Sequence, residues 1–117
     1  MTTDDLLNVD YRENKVIIQK ALLKIKPLSK YSEEEQIPLS AIEKLIHLMC
    51  KKYKVWIRGI SFDPTSNDDY DVLRCEIINE NDLSLIRYIY GICIYEIMAK
   101  SAILVWSEIK NKNLNRR

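Results

Sequence analysis

Glycine is almost missing from this chain: Gly59 and Gly91 are the only two among 117 residues. A phosphate-cradling P-loop or a dinucleotide-binding turn needs several glycines at fixed spacing, so neither is written here. Histidine occurs once, as His47, and the three cysteines, Cys50, Cys75 and Cys93, stand far apart among apolar neighbours with no CxxC pair. That inventory excludes a zinc site of ordinary ligand spacing and points to free thiols acting as small core hydrophobes. The acidic residues between 63 and 71 do not follow the calcium-loop pattern, which also needs a central glycine. No nucleophile has a recognisable base beside it in sequence. We therefore expect no metal, no cofactor, no small-molecule substrate and no enzymatic activity.

Charge of one sign is lacking too. The net charge is +1, with residues 1–10 carrying −3, 11–31 +5, 32–50 −3, 51–62 +4, 63–82 −6 and 83–117 +4. Such alternation lacks the overall basic excess that marks a dedicated nucleic-acid binder, although a local basic patch is still allowed. The N-terminus MTTDDLLNVD is acidic and has no apolar stretch of the secretory kind, so an intracellular, cytoplasmic location is expected.

What the chain does have is a strongly apolar stretch, Leu83 to Trp106, in which Arg87, Glu96 and Lys100 are the only charged residues. A membrane span is disfavoured, because three charges interrupt it and each costs about 2.5–3.5 kcal/mol at a bilayer centre. A strand is suggested by the Ile and Tyr of Arg87 to Tyr95. The continuation through Met98, Ala99, Lys100, Ser101 and Ala102 favours a helix instead. The expectation is one helix from about Asp82 to about Lys110, capped by Asn79 or Asn81. Its first half is apolar all round, which predicts burial on every side and hence a partner subunit. A homodimer interface of Ser84, Arg87, Tyr88, Gly91 and Tyr95 follows, with Gly91 admitting a second backbone.

Three shorter segments precede this stretch. Asp10 and Glu13 have the spacing of a capping box, predicting a helix that ends at Lys26 before Pro27. SEEE from Ser32 predicts a short helical turn. Ser40 and Glu43 predict a helix to about Tyr53 with Ile42, Leu45, Ile46, Met49 and Tyr53 turned inward. The period then becomes two: VWIRGISF and YDVLRCEII read as strands joined by the loop DPTSNDD. Val55, Ile57, Leu73, Cys75 and Ile77 form the expected core face of this hairpin.

The elements describe one α+β domain over residues 1–117, with mobile termini at 1–9 and 111–117. Two arrangements accommodate them: a winged-helix-like order, or two layers with the hairpin packed on the long helix. Trp56, Arg58, Phe62 and Arg74 fall on the other face of the hairpin and are candidates for binding a partner, since Trp and Arg are enriched at interface hot spots. Lys44, His47, Lys51 and Lys52 on the third helix are the candidates for nucleic acid, but Glu43 and a wing tip at Asp63 to Asp69 would oppose phosphates. The preferred reading is a non-enzymatic protein-binding module, a small regulator, inhibitor or adaptor. A homodimeric nucleic-acid-binding regulator is the alternative.

Overall fold

The computed structural model describes residues 1–63 and 72–109, which form an α+β fold of helices on a three-stranded antiparallel sheet. In chain order the elements are α1 (Thr3–Leu7), α2 (Lys15–Leu23), α3 (Leu39–Tyr53), β1 (Val55–Phe62), β2 (Leu73–Asn79), β3 (Leu85–Gly91) and α4 (Ile94–Leu104), the last running into a π-helical turn at Val105–Ile109. The sheet order is β1-β2-β3, so β2 is central and both neighbours are edges.

The helices share one face of the sheet. Val55, Cys75, Ile77 and Ile89 belong to the same buried cluster as Ile18, Leu22, Ile42, Ile46, Ile97 and Ile103. Of the two arrangements compatible with the sequence, the two-layer one is observed. The inward stripe of α3 is as expected: Ile42, Leu45, Ile46 and Met49 are buried and Tyr53 half-buried. That helix ends where Lys54 adopts a left-handed conformation at φ 59°, and β1 begins at the next residue.

The single long helix expected from Asp82 to Lys110 is corrected by the structure. Residues 85–91 are strand β3, and the helix starts only at Ile94. The Asn and Asp side chains assigned to a helix cap build the β2–β3 turn instead. Asn79 Oδ1 accepts the Asn81 amide at 2.8 Å, and Asp82 Oδ1 accepts the Ser84 amide at 2.9 Å and its hydroxyl at 2.7 Å. Both patterns use the same short polar side chains, which is why turn and cap look alike in sequence. Lys110 and the segment 111–117 lie outside the described residues, as does the DPTSNDD loop beyond Asp63.

Further corrections concern the N-terminal third. Residues 1–9, expected to be a mobile end, contain α1, closed by a capping box in which Thr2 and Asp5 exchange side-chain to backbone bonds of 2.9 and 3.1 Å. Its Leu7 is buried in the core. Asp10 does not cap α2; its carboxylate turns to the Arg12 amide and guanidinium at 2.8 to 3.1 Å, and the helix opens four residues later than Tyr11, at Lys15. Ser32 does accept the Glu35 amide at 3.2 Å, but no helical turn follows. Nor does Ser40 cap α3, which is already helical at Leu39 behind Pro38.

Candidate functional site

With helices packed on one side, the other face of the sheet has none of the described elements over it. Side chains directly opposite one another in a ladder share a face, so the register defines its membership. Trp56 pairs with Ile78, Arg58 with Glu76 and Ser61 with Arg74; across the next ladder Arg74 pairs with Tyr90, Glu76 with Tyr88 and Ile78 with Leu85. The open face is therefore Trp56, Arg58, Ser61, Arg74, Glu76, Ile78, Leu85, Tyr88 and Tyr90.

Two parts of this face differ in chemistry. At the end near the β2–β3 turn, Ile78 is only 1% exposed yet lies outside the main core cluster, because it is covered from the open side. Its cross-strand neighbours are Trp56, 46% exposed, and Leu85, 47% exposed. The ladder skips Ile86, and a bulge of this kind sets two consecutive residues against one, bringing exposed Ile86 beside Leu85. Trp56 is steadied by its indole N–H donating to Glu80 at 3.3 Å. Toward the other end, Arg58 pairs with Glu76 at 3.1 Å and the Arg74 guanidinium lies 4.6 Å from the centre of the Tyr88 ring. Stacked arginine and tyrosine present a flat, amphipathic surface at small entropic cost.

Of the four residues expected on this face, the structure brings together three. Trp56, Arg58 and Arg74 are on it; Phe62 is not. A second bulge lies between Arg58 and Ser61, where Gly59 takes φ +68°. One extra residue reverses the alternation, so Phe62 pairs with Leu73 on the helix-bearing side, where it is still 65% exposed at the sheet end. Leu85, Ile86, Tyr88 and Tyr90 join this face through β3, a segment whose apolar run predicts a helix. Strict alternation in RYIYG was the signal that could have placed them.

The five residues of the expected dimer interface do not share a helix face. Ser84 is in the turn, and Arg87 faces the helix layer and forms an ion pair with Asp4 of α1. Tyr88 is on the open face, while Tyr95 is on α4 and donates its hydroxyl to the Ile37 carbonyl at 2.7 Å. Gly91 ends β3, and a Cβ there would stand 3.0 Å from three atoms of the Glu96 side chain. The close approach that a glycine permits is thus made by a carboxylate of this same chain.

That carboxylate belongs to a buried ion pair. Glu96 and Lys100, each 3% exposed, meet at 2.5 Å one turn apart on α4. Glu96 also accepts the Ile92 amide at 2.7 Å, and Lys100 donates to the Val9 carbonyl at 3.0 Å. The pair ties the start of α4 and the α1–α2 connection to one point. It lines a cavity of about 320 Å³ together with Asp10, Tyr11, Arg12 and Tyr90. Burial, with help from Cys93, Tyr95 and Glu96, pushes the Tyr11 phenol up to about 12. Opposite charges and carbonyl or amide partners satisfy the Glu96–Lys100 pair internally.

The candidate nucleic-acid residues Lys44, His47, Lys51 and Lys52 are all exposed on α3. They do not continue into Arg58, which is on the opposite side of the sheet. Exposed Leu48 stands among them, above an apolar groove that Leu28, Tyr31, Ala41 and Leu45 line with Lys30 and Lys44 at its border. Among the described residues, no group of three His, Cys, Asp or Glu side chains is placed to hold a metal, and no helix is long and apolar enough to cross a membrane. Comparison of the chain with family models, curated proteins and solved structures finds no match.

Proposed function

We propose that the protein is a non-enzymatic binding module, a small regulator, inhibitor or adaptor, that docks on another protein through the open face of its sheet. The observation that carries this reading is the composition of that face. Where a solvated sheet face normally alternates to polar residues, this one presents Trp56, Leu85, Ile86, Tyr88 and Tyr90 with Arg58 and Arg74 among them. Tryptophan, tyrosine and arginine are the residues that most often dominate binding energy. A rigid backbone holds them, so little entropy is lost on docking.

The test is affinity capture with Trp56→Ala/Arg74→Ala beside a control carrying Lys51→Ala/Lys52→Ala. Loss of captured partner in the first and retention in the second is the expected result, with circular dichroism establishing that both are folded. Equal capture by all three proteins would overturn the reading. Binding of duplex DNA at low salt, weakened by Lys44→Ala/Lys51→Ala/Lys52→Ala, would transfer the function to α3.

A further inference from the structure

We infer that β3 pairs edge to edge, antiparallel, with β3 of a second copy of this chain, joining two sheets into one of six strands. The two free edges of the sheet are not alike. Natural edges are blunted by bulges, lysines, prolines or inward-turned charges, because an unprotected row of backbone amides and carbonyls recruits another strand. β1 carries such protection, because its run is broken in the middle by the Gly59 bulge. β3 does not. Its bulge is confined to the Leu85–Ile86 end, and from Arg87 to Gly91 the ladder to β2 is regular with no lysine, proline or acidic residue.

The one charge on that regular stretch has been neutralised. Arg87 is engaged by Asp4 on the helix side, so two approaching strands meet no net repulsion. A two-fold centred on Ile89 sets Tyr88 opposite Tyr90 of the second copy, twice, on the open face. Aromatic pairs of this kind stabilise a ladder. In the same register Arg87 faces Gly91 of the second copy, which has no side chain to obstruct it. Exposed Leu85 and Ile86 extend the apolar border of the strand.

A contact of five paired residues is small beside the ~800 Å² per partner of a standard interface, so the dimer is a reversible one. Pairing at the edge draws Tyr88 and Tyr90 of the open face into cross-strand contact but leaves Trp56, Arg58 and Arg74 uncovered, and it sets the two open faces side by side.

Sedimentation velocity across the micromolar range tests it, together with hydrogen exchange of the β3 amides at the two ends of that range. The expected result is a concentration-dependent dimer in which the outward β3 amides gain protection. Ile86→Lys/Tyr90→Lys, which restores the missing edge charges, should weaken association by about tenfold or more. Trp56→Ala/Arg74→Ala should associate like the wild type, so loss of partner capture and loss of self-pairing are read separately. A monomer at every concentration would overturn the inference, as would a dimer whose β3 exchange does not change with concentration. Should the lysine variant fail to fold, the wild-type exchange measurement decides alone.

Discussion

Replacing Lys100 by methionine removes one half of a pair that has almost no access to water. Both residues are 3% exposed and their charged ends are 2.5 Å apart, so Glu96 is left as a buried carboxylate whose remaining partner is the Ile92 amide. The Val9 carbonyl also loses the donor that reached it at 3.0 Å. Breaking a buried pair from one side costs about 3–5 kcal/mol, a large share of the roughly 5–15 kcal/mol that holds a domain folded. The companion change Glu96→Gln keeps an acceptor for the Ile92 amide and removes the charge. In the double variant Glu96→Gln/Lys100→Met there is no uncompensated charge, and the residual loss is about 1–3 kcal/mol, from the Val9 carbonyl and imperfect packing. The double variant should therefore be more stable than Lys100→Met alone, with a coupling of about 2 kcal/mol or more. Urea unfolding of the four proteins at neutral pH, compared at constant slope, measures this directly. A Lys100→Met protein within about 1 kcal/mol of wild type, or a double variant whose loss equals the sum of the singles, would refute the claim that the two charges hold each other in the interior.

Three other outcomes follow from the geometry. Gly91→Ala places a methyl 3.0 Å from Glu96 atoms that are themselves fixed at 2.5 and 2.7 Å, so it should cost about 1–3 kcal/mol in thermal or urea unfolding, whereas an added methyl at an unobstructed strand position would be neutral or favourable. Burial pushes the Cys75 thiol up to about 11, so at mildly alkaline pH it should resist a thiol reagent in the native protein and react once urea is added; native labelling at the rate of free cysteine would contradict its place beneath Ser101. Tyr11, raised to about 12 from an ordinary 10, stays protonated in the folded protein while the unfolded chain ionises; its contribution is complete below pH 10 and is lost between pH 10 and 12, a slope that Tyr11→Phe should flatten in alkaline unfolding.

Local signals were legible where one physical demand acted alone. The α3 stripe and the β1 limits follow from period, because one side of each element meets the core and the other meets water. The capping boxes were less reliable. Thr2 and Asp5 form one in α1, while Asp10 and Glu13 have the same spacing and form none. Asp10 has competing donors two residues away in the Arg12 amide and guanidinium, and the charge-assisted bidentate pair holds its carboxylate off the start of α2. Spacing alone does not report such competition.

The larger misreading, of residues 82–93 as helix, has a definite cause and reaches the site itself. An apolar run interrupted only by Arg87 looks buried all round, and in a helix that means a rod enclosed by other chains. In a strand the same residues divide between two faces: Ile89 goes to the core, while Tyr88 and Tyr90 go to the open side. Both faces of β3 are largely apolar for different reasons, one for folding and the other for the docking proposed above, so the alternation in RYIYG is carried by tyrosines rather than by charged residues. Gly91 was the informative residue. It stands where the strand ends and the chain turns into α4, and the side chain it admits, Glu96, is with Lys100 and Ser101 one of the buried polar residues of an otherwise apolar helix. Read together, a glycine and a carboxylate five residues apart, with a lysine one turn further, mark a strand–helix junction closed by an internal ion pair. Residues 85–91 thereby form a sheet edge with Tyr88 on its open face, while Tyr95 stays in the helix layer with its hydroxyl on the Ile37 carbonyl.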